Sequence, residues 1–479
     1  QLVNQFLFES FLINLSAITI AFLFYLVFFP RFSSLVSNLS QEEFWDFALW
    51  HYNWFIPLIL GLIILGTLFS GLYPAFILSR FQPIRILGKK LTSAVGSNNL
   101  RKGLVTFQFA VCVILIVGTL VVYRQMEYMQ TQDLGFDPEQ IVVVEQPSVF
   151  SDFEGRTQAV RNFKNELGNH AAITDVMSTL VIPGRQIRWK ISMRRLQENA
   201  EDAHAFNYNL VDENFIPGFD MQILSGRNFS GEVGSDRDTA CIITKLGAEV
   251  LGFENPEAAI GQTITSDDMQ SSVIIVGVVN DYHQESLRSA MQPTIFFLND
   301  YAEYYLMRIN TASLQDNLAF IEDQWNERFP GNPFQYFFLD DYFNAQYQNE
   351  IRFQKLFTIF ALLAIVVACL GLFGLSAFIA QQRIREVSIR KVLGAGIYQL
   401  VLLLTTDFMK IILLANLLAW PLIAYLMHNW LEGFANRISL NLWTFVLSGL
   451  LVLALGLLTV SYHAYRAAAS NPSDILGAE

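Results

Sequence analysis

The chain has 479 residues, of which 53% are hydrophobic, only 15% are charged and 41 are phenylalanine. A soluble globular chain carries about 25% charged residues, so the composition excludes an ordinary soluble protein and points to a membrane protein with a large water-exposed part. The net charge of −12 is split unevenly, with about −20 in residues 126–350 and about +8 in the remainder.

Residues 2–30 read as a first span closing at Pro30, since about 20 apolar residues cross the hydrocarbon. Residues 31–52 form a short loop with Glu42, Glu43 and Asp46, fit for the outside. A second span covers 54–79. Arg80, Arg85, Lys89, Lys90, Arg101 and Lys102 follow with no acid among them, which places that loop in the cytoplasm. The third span is 103–123, with a helix expected to extend through Tyr123 to Met126.

From 126 to 350 no stretch is long and apolar enough to span. Strand-like runs such as Val273 to Val279 alternate with amphipathic helices such as 156–168, where Val160, Phe163 and Leu167 share a face. Turns are expected at Pro183-Gly184, Pro217-Gly218 and Pro330-Gly331. This is an α+β region, and continuity of orientation puts it outside the cytoplasm. The fourth span is 353–381, on a helix expected to start near Asp340 and to stand about 60 Å long as a stalk. The fifth and sixth spans are 398–427 and 441–465, and the tail returns to the cytoplasm. The fold class is therefore membrane α-helical with six spans and an extracytoplasmic α+β domain between spans three and four. Its parts are 1–125, 126–350 and 351–479.

Between spans four and five, residues 383–396 read R-I-R-E-V-S-I-R-K-V-L-G-A-G. As a helix this stretch puts Arg383, Glu386 and Arg390 on one face. Ile384, Val387, Ile389, Val392 and Leu393 take much of the rest, and Gly394 and Gly396 offer a stop. It reads as a short helix at the cytoplasmic membrane surface with a side that another protein can grip; the plainer alternative is a solvated basic loop.

The membrane halves also repeat. Tyr73, Ala75, Pro83 and Ile86-Leu87-Gly88 align with Tyr462, Ala464, Pro472 and Ile475-Leu476-Gly477, and Gln1-Leu2-Val3 aligns with Gln399-Leu400-Val401, so Glu9 falls on Asp407. From this repeat and the start at Gln1, a longer protein with eight spans and two outer domains is expected.

The remaining candidates have plainer readings. Glu9 and Asp407 snorkel or pair near the interface, Asp407 with Lys410. Asp281, His283 and Glu285 are a structural loop, because a metal site needs three or four convergent ligands. Gly66 and Ser70 serve close helix packing. Trp189 with Arg185, Arg188, Lys190, Arg194 and Arg195 makes a basic patch, either a guarded strand edge or a contact for a lipid headgroup or an acidic partner. Cys112, Cys241 and Cys369 imply neither disulfide framework nor metal cluster.

Together these residues resemble the FtsX-like permeases of the macrolide-exporter type of ABC transporter, in the long duplicated form. Glu386 to Ala395 is similar to the family's coupling helix. Val211 to Phe215, Gly226 to Phe229, Leu251 to Gln262, Val276 to His283 and Pro333 to Asp341 resemble its periplasmic core domain, whereas Thr244-Lys245 departs from the expected Asn-Glu. The resemblance implies a permease subunit of the bacterial inner membrane that is not itself an enzyme. ATP and Mg would be bound by a separate cytoplasmic ATPase dimer, and indeed no G-x-x-x-x-G-K-[ST] is present. Coupling is assigned to Arg383, Arg385, Glu386, Ile389, Arg390, Lys391, Val392, Leu393 and Gly394. The expected work is efflux or extraction of an amphipathic substrate; the alternative is signalling to a periplasmic cell-wall hydrolase without transport. Further expected partners are the bilayer, a periplasmic protein, and a second permease half in a pseudo-dimer, homodimer or heterodimer; no nucleic acid is expected.

Overall fold

The computed structural model describes residues 2–37, 53–79, 95–149, 153–231 and 233–470. The loop acids at 42–46, the basic residues at 80–90 and the repeat positions from 83 to 88 and from 472 onward lie outside them. The chain divides into two compact units: Gln1–Leu120 with Arg352–Ile423 and Asn441–Glu479, and Val121–Ile351 with Ala424–Leu440.

The first unit is helical. Its first helices are α1 (Leu2–Ser37), α2 (Phe55–Ser79) and α3 (Val95–Thr131), the last as far as Leu120. In this unit a helix buries one stripe and leaves apolar side chains exposed elsewhere, as a lipid-facing surface requires. On α3 the stripe is Phe109, Cys112, Val113, Ile116 and Val117, at spacings of three and four. Small residues admit neighbouring chains: a Cβ on Gly66 would lie 2.6 Å from Asn14 Oδ1, and one on Gly118 would lie 2.8 Å from the Phe357 ring. Asn14 Nδ2 also donates to Ser70 Oγ at 3.1 Å, so Gly66 and Ser70 hold α2 against α1 as expected.

The second unit is built on β1 (Ile141–Glu145), α4 (Phe153–Gly168), β2 (Ile173–Thr179), β3 (Lys190–Arg195), β4 (His204–Val211), β5 (Ile223–Gly226), β6 (Ala240–Thr244), β7 (Thr263–Ser266), β8 (Ser271–Val279), β9 (Thr294–Leu298), β10 (Tyr304–Ile309), α5 (Leu314–Arg328) and β11 (Tyr336–Phe338). Two β-α-β units, β1-α4-β2 and β10-α5-β11, interleave in an antiparallel sheet of order β11-β1-β10-β2. β1 shows the period of two directly. Val142 and Val144 pack under α4 and α5 with Phe163, Leu167 and Trp325, while Ile141 and Val143 join the core on the opposite face. Phe163 is fully buried, 5.7 Å edge-on from Trp325 and 5.5 Å from Phe329, and its burial contributes about 2–3 kcal/mol.

The stretch between β2 and β10 folds as a second sheet that closes on itself. The order β4-β3-β7-β8-β6-β9 returns to β4 through a parallel pairing of Asn207 with Thr294 and onward to Val211 with Leu298. Closure pairs each ring strand on both sides along part of its length, and Phe206, Cys241, Ile243, Ile264, Ile275 and Ile295 fill its interior. Thr179 and Val211 form the pairing that joins the two sheets.

After α6 (Leu339–Ala345) come α7 (Gln348–Gln382), α8 (Ile384–Val392), α9 (Ile397–Leu431) and α10 (Leu442–Ala469). Two expectations change here. The stalk helix starts at Gln348, not near Asp340, so it is 35 residues or about 52 Å long. No proline or glycine stops α6; tertiary bonds do. Gln346 Oε1 accepts the Ser286 amide at 3.0 Å, Tyr347 OH accepts the Leu287 amide at 3.1 Å, and both contacts need the chain to step out of helix between Ala345 and Gln348. The first span, Asn4–Pro30, closes at Pro30, while its helix α1 continues to Ser37; the amide donor a proline lacks is a loss that membrane helices absorb. Pro217-Gly218 ends a four-residue helix, Phe215–Gly218, instead of forming a loop turn.

Among the described residues five helices are long and apolar enough to cross a membrane: Asn4–Pro30, Arg101–Thr131, Gln348–Gln382, Ile397–Leu431 and Leu442–Ala469. The apolar part of α2, Phe55–Gly71, falls short of that length, so the expected count of six is not reached.

Candidate functional site

The candidate site is α8 with its flanks, and it is framed by four specific contacts. Arg383 stands at the N-cap position and its Nη2 donates to Asp407 Oδ2 on α9 at 2.8 Å. This replaces the expected pairing of Asp407 with Lys410. Val387 and Ser388 are buried, and Val387 packs with Ala380, Leu400, Leu404, Ala464 and Ala467. Lys391 Nζ donates to the carbonyls of Ala468 at 2.7 Å and Ser470 at 2.9 Å. Those carbonyls belong to the last turn and cap of α10, where no intrahelical donor remains and the helix dipole favours a cation. Glu386 and Arg390 pair along the helix at 2.8 Å.

The end of α8 is set by geometry that only glycine adopts cheaply. Gly394 has φ +92°, its amide donates to Lys391 O at 3.0 Å, and Ala395 N donates to Arg390 O at 3.0 Å. This pair of hydrogen bonds closes the helix in a Schellman motif. It leaves Val392 65% and Leu393 81% exposed, beside exposed Ile389 and Tyr398.

The nine assigned residues therefore divide. Arg383 and Lys391 face neighbouring helices. Arg385, Glu386, Ile389, Arg390, Val392, Leu393 and Gly394 are exposed. Sequence reading missed that Asp407 and the end of α10 hold the helix; the one signal was the cost of a lone carboxylate within an apolar span, which calls for a cation.

Elsewhere, Asp281 Oδ1 accepts the Leu246 amide at 2.7 Å, and His283 is buried, its amide donating to Leu134 O at 2.8 Å. Burial raises the Asp281 carboxyl and lowers the His283 imidazole from their ordinary values. Among the described residues no group of three or more His, Cys, Asp or Glu is placed to hold a metal ion. Thr244, the departure from the family pattern, caps the following helix: its Oγ1 accepts the Gly247 amide at 3.3 Å and the Thr294 amide at 3.1 Å. A polar groove of about 1170 Å³ runs between α4 and the segments 213–214, 237–238 and 298–301. Its cations are engaged: Lys164 holds Asp212 and Ser178, and Arg161 and Arg237 share Asp300.

Residues 358–472 match the FtsX-like permease C-terminal family, and residues 108–327 match the MacB-like periplasmic core domain. Together the matches take in more than half of the chain, which belongs to the FtsX-like permeases that carry a MacB-like core domain. It is thus a membrane permease of the ABC-transporter type with a periplasmic domain, and members of this family are permease subunits, not enzymes. Among solved structures, the periplasmic region of MacB from Actinobacillus actinomycetemcomitans is 11% identical, with a TM-score of 0.31 over 44% of this chain and 94% of that one. The extracellular domain of the noncanonic ABC-type transporter YknZ from Gram-positive bacteria is 13% identical, with a TM-score of 0.29 over 41% of this chain and 97% of that one. No curated protein matches the chain.

Proposed function

We propose that the chain is the permease subunit through which a separate cytoplasmic ATPase drives movement of the periplasmic domain, for efflux or extraction of an amphipathic substrate. The observation that carries this reading is the tip of α8. A helix wired to α9 through Arg383 and to α10 through Lys391 nevertheless holds Val392 and Leu393 out from the fold. Apolar side chains of that size are costly to leave in water and form the centre of a protein contact, with Arg385 and Arg390 at its polar rim. A push on the tip reaches two membrane helices, α9 through Arg383 and α10 through Lys391. In this reading α2 is the sixth span, ATP and Mg reside in the ATPase, and a second permease half supplies the second grip.

The test is co-purification of the full-length protein in detergent with whatever P-loop ATPase accompanies it, followed by an ATPase assay. Leu393→Asp and Arg390→Glu should each lower the stimulated activity, Leu393→Asp by tenfold or more if about 1.4 kcal/mol of contact is lost. Unchanged stimulation in both variants would sink the assignment of α8.

A further inference from the structure

The core domain carries one strongly cationic spot in a region of about −20 net charge. Arg185, Arg188, Trp189 and Lys190 are all exposed, Trp189 at 66%. The segment is nevertheless held firmly. Ile187 in its middle is buried in the ring core, and Trp189 O accepts the Tyr208 amide at 3.0 Å. The expected reading as a guarded strand edge holds for part of β3 only: Lys190 to Met193 pair with β4 alone, whereas β7 joins at Arg194 and Arg195, and Arg188 and Trp189 precede the strand. Arg194, by contrast, is spent on Asp267 at 2.8 Å, and Arg195 lies over the Phe253 ring at 4.5 Å. Among the described residues neither Arg188 nor Lys190 takes part in an ion pair.

The segment lies at the end of the domain from which α7 departs. Gly184 N donates to Gln284 O at 2.7 Å, and Gln284 Nε2 donates back to Ile182 O and Arg185 O at 2.7 and 2.8 Å. Two residues on, Ser286 is bonded to Gln346, just before α7 begins at Gln348. The continuous apolar run of α7 starts at Leu356, about 12 Å along the helix from Gln348. Headgroups take up roughly 5–7 Å of that distance.

We propose that Arg188, Trp189 and Lys190 form a contact for the anionic headgroup layer of the membrane the chain itself enters. Tryptophan is the side chain favoured at that depth, with an apolar body and one N–H for the interface. Two cations that enter no ion pair among the described residues supply the charge complement, and each is worth about fivefold in association with an anionic surface.

The experiment uses the full-length protein in nanodiscs of phosphatidylglycerol-rich or phosphatidylcholine lipid, doped with headgroup-labelled nitroxide lipid. The emission difference between wild type and Trp189→Phe isolates Trp189. The expected result is strong nitroxide quenching of that component in anionic discs. It should be several-fold weaker in neutral discs, and weaker too in the Arg188→Glu/Lys190→Glu variant. If Trp189 is instead open to aqueous iodide and unquenched by the nitroxide in every disc, the segment faces water or an acidic protein, and the proposal is overturned. The readout does not involve the ATPase, so that failure would leave the reading of α8 standing.

Discussion

Arg383 Nη2 lies 2.8 Å from Asp407 Oδ2, joining the start of α8 to a carboxylate ten residues into α9. Both side chains are about one-third exposed, at 36% and 31%, so solvent screens the pair and its worth is about 1 kcal/mol. Arg383→Ala and Asp407→Ala should each lower thermal stability slightly and share that loss in a double-mutant cycle. The charge-swapped pair, Arg383→Asp with Asp407→Arg, should regain part of the ATPase stimulation that each single change removes. Fully additive single changes would mean that the pair does not couple the helices.

Gly394 tests the tip of α8 without touching its surface chemistry. A Cβ there meets nothing within 4 Å, so a substitution strains only the backbone at φ +92°. Gly394→Val should cost about 1–2 kcal/mol and fray the last turn, whereas Gly394→Asn should cost less, since Asn tolerates the left-handed region. Thermal unfolding of the two variants in the same detergent orders them; equal losses would remove the cap argument.

Among the described residues Lys164 and Asp212 form the most buried ion pair of the core domain, at 22% and 4% side-chain exposure. Burial raises the Asp212 carboxyl, while Lys164 and Ser178 pull it back down. Lys164→Met strands a buried carboxylate and should destabilise the protein by about 3–5 kcal/mol. Adding Asp212→Asn should recover much of that loss. A single variant as stable as wild type would show that the pair contributes nothing.

Acid should weaken the same domain through two other carboxyls. Arg227 holds Asp236 below its ordinary value by a bidentate contact at 2.6 and 2.7 Å, and Arg237 does the same for Asp300. A carboxyl lowered in the folded state contributes stability that is whole above its unfolded value, 3.8, and is lost as pH falls through the folded value. Arg227→Ala should therefore lower the melting temperature at neutral pH and have a shrinking effect as the pH drops below 3.8. A constant difference across that range would contradict the linkage.

Gln125 is fully buried, and its amide bridges the loop after α9: Nε2 donates to Asn436 O at 2.8 Å and Oε1 accepts the Ile438 amide at 2.9 Å. Gln125→Leu keeps the volume but orphans two backbone groups, at about 1–3 kcal/mol each. Hydrogen exchange at residues 434–438 should rise sharply in that variant; unchanged protection would mean that water replaces the amide.

Much of this was open to reading before any coordinates. Apolar runs of membrane length located the long helices, because lipid demands a local, countable property. The stripe Val160, Phe163 and Leu167 on α4 and the run Val273 to Val279 in β8 were legible for the same reason: periodicity is written in neighbouring residues. The family resemblance of the core segments and of Glu386 to Ala395 was equally a matter of short contiguous motifs.

What the tertiary structure alone decided lies between residues far apart in the chain. The break before α7 depends on Ser286 and Leu287 reaching Gln346 and Tyr347 across sixty positions. The closed ring depends on β4 pairing in parallel with β9, which no strand announces by its own pattern. At α8, the sequence marked which residues are charged, but Asp407 and the carbonyl end of α10 decided that Arg383 and Lys391 turn inward while Val392 and Leu393 are left exposed. A side chain's type is local, whereas its partner is chosen by whichever unpaired group the fold brings within 3 Å or so, since buried or half-buried charges must be matched where they stand.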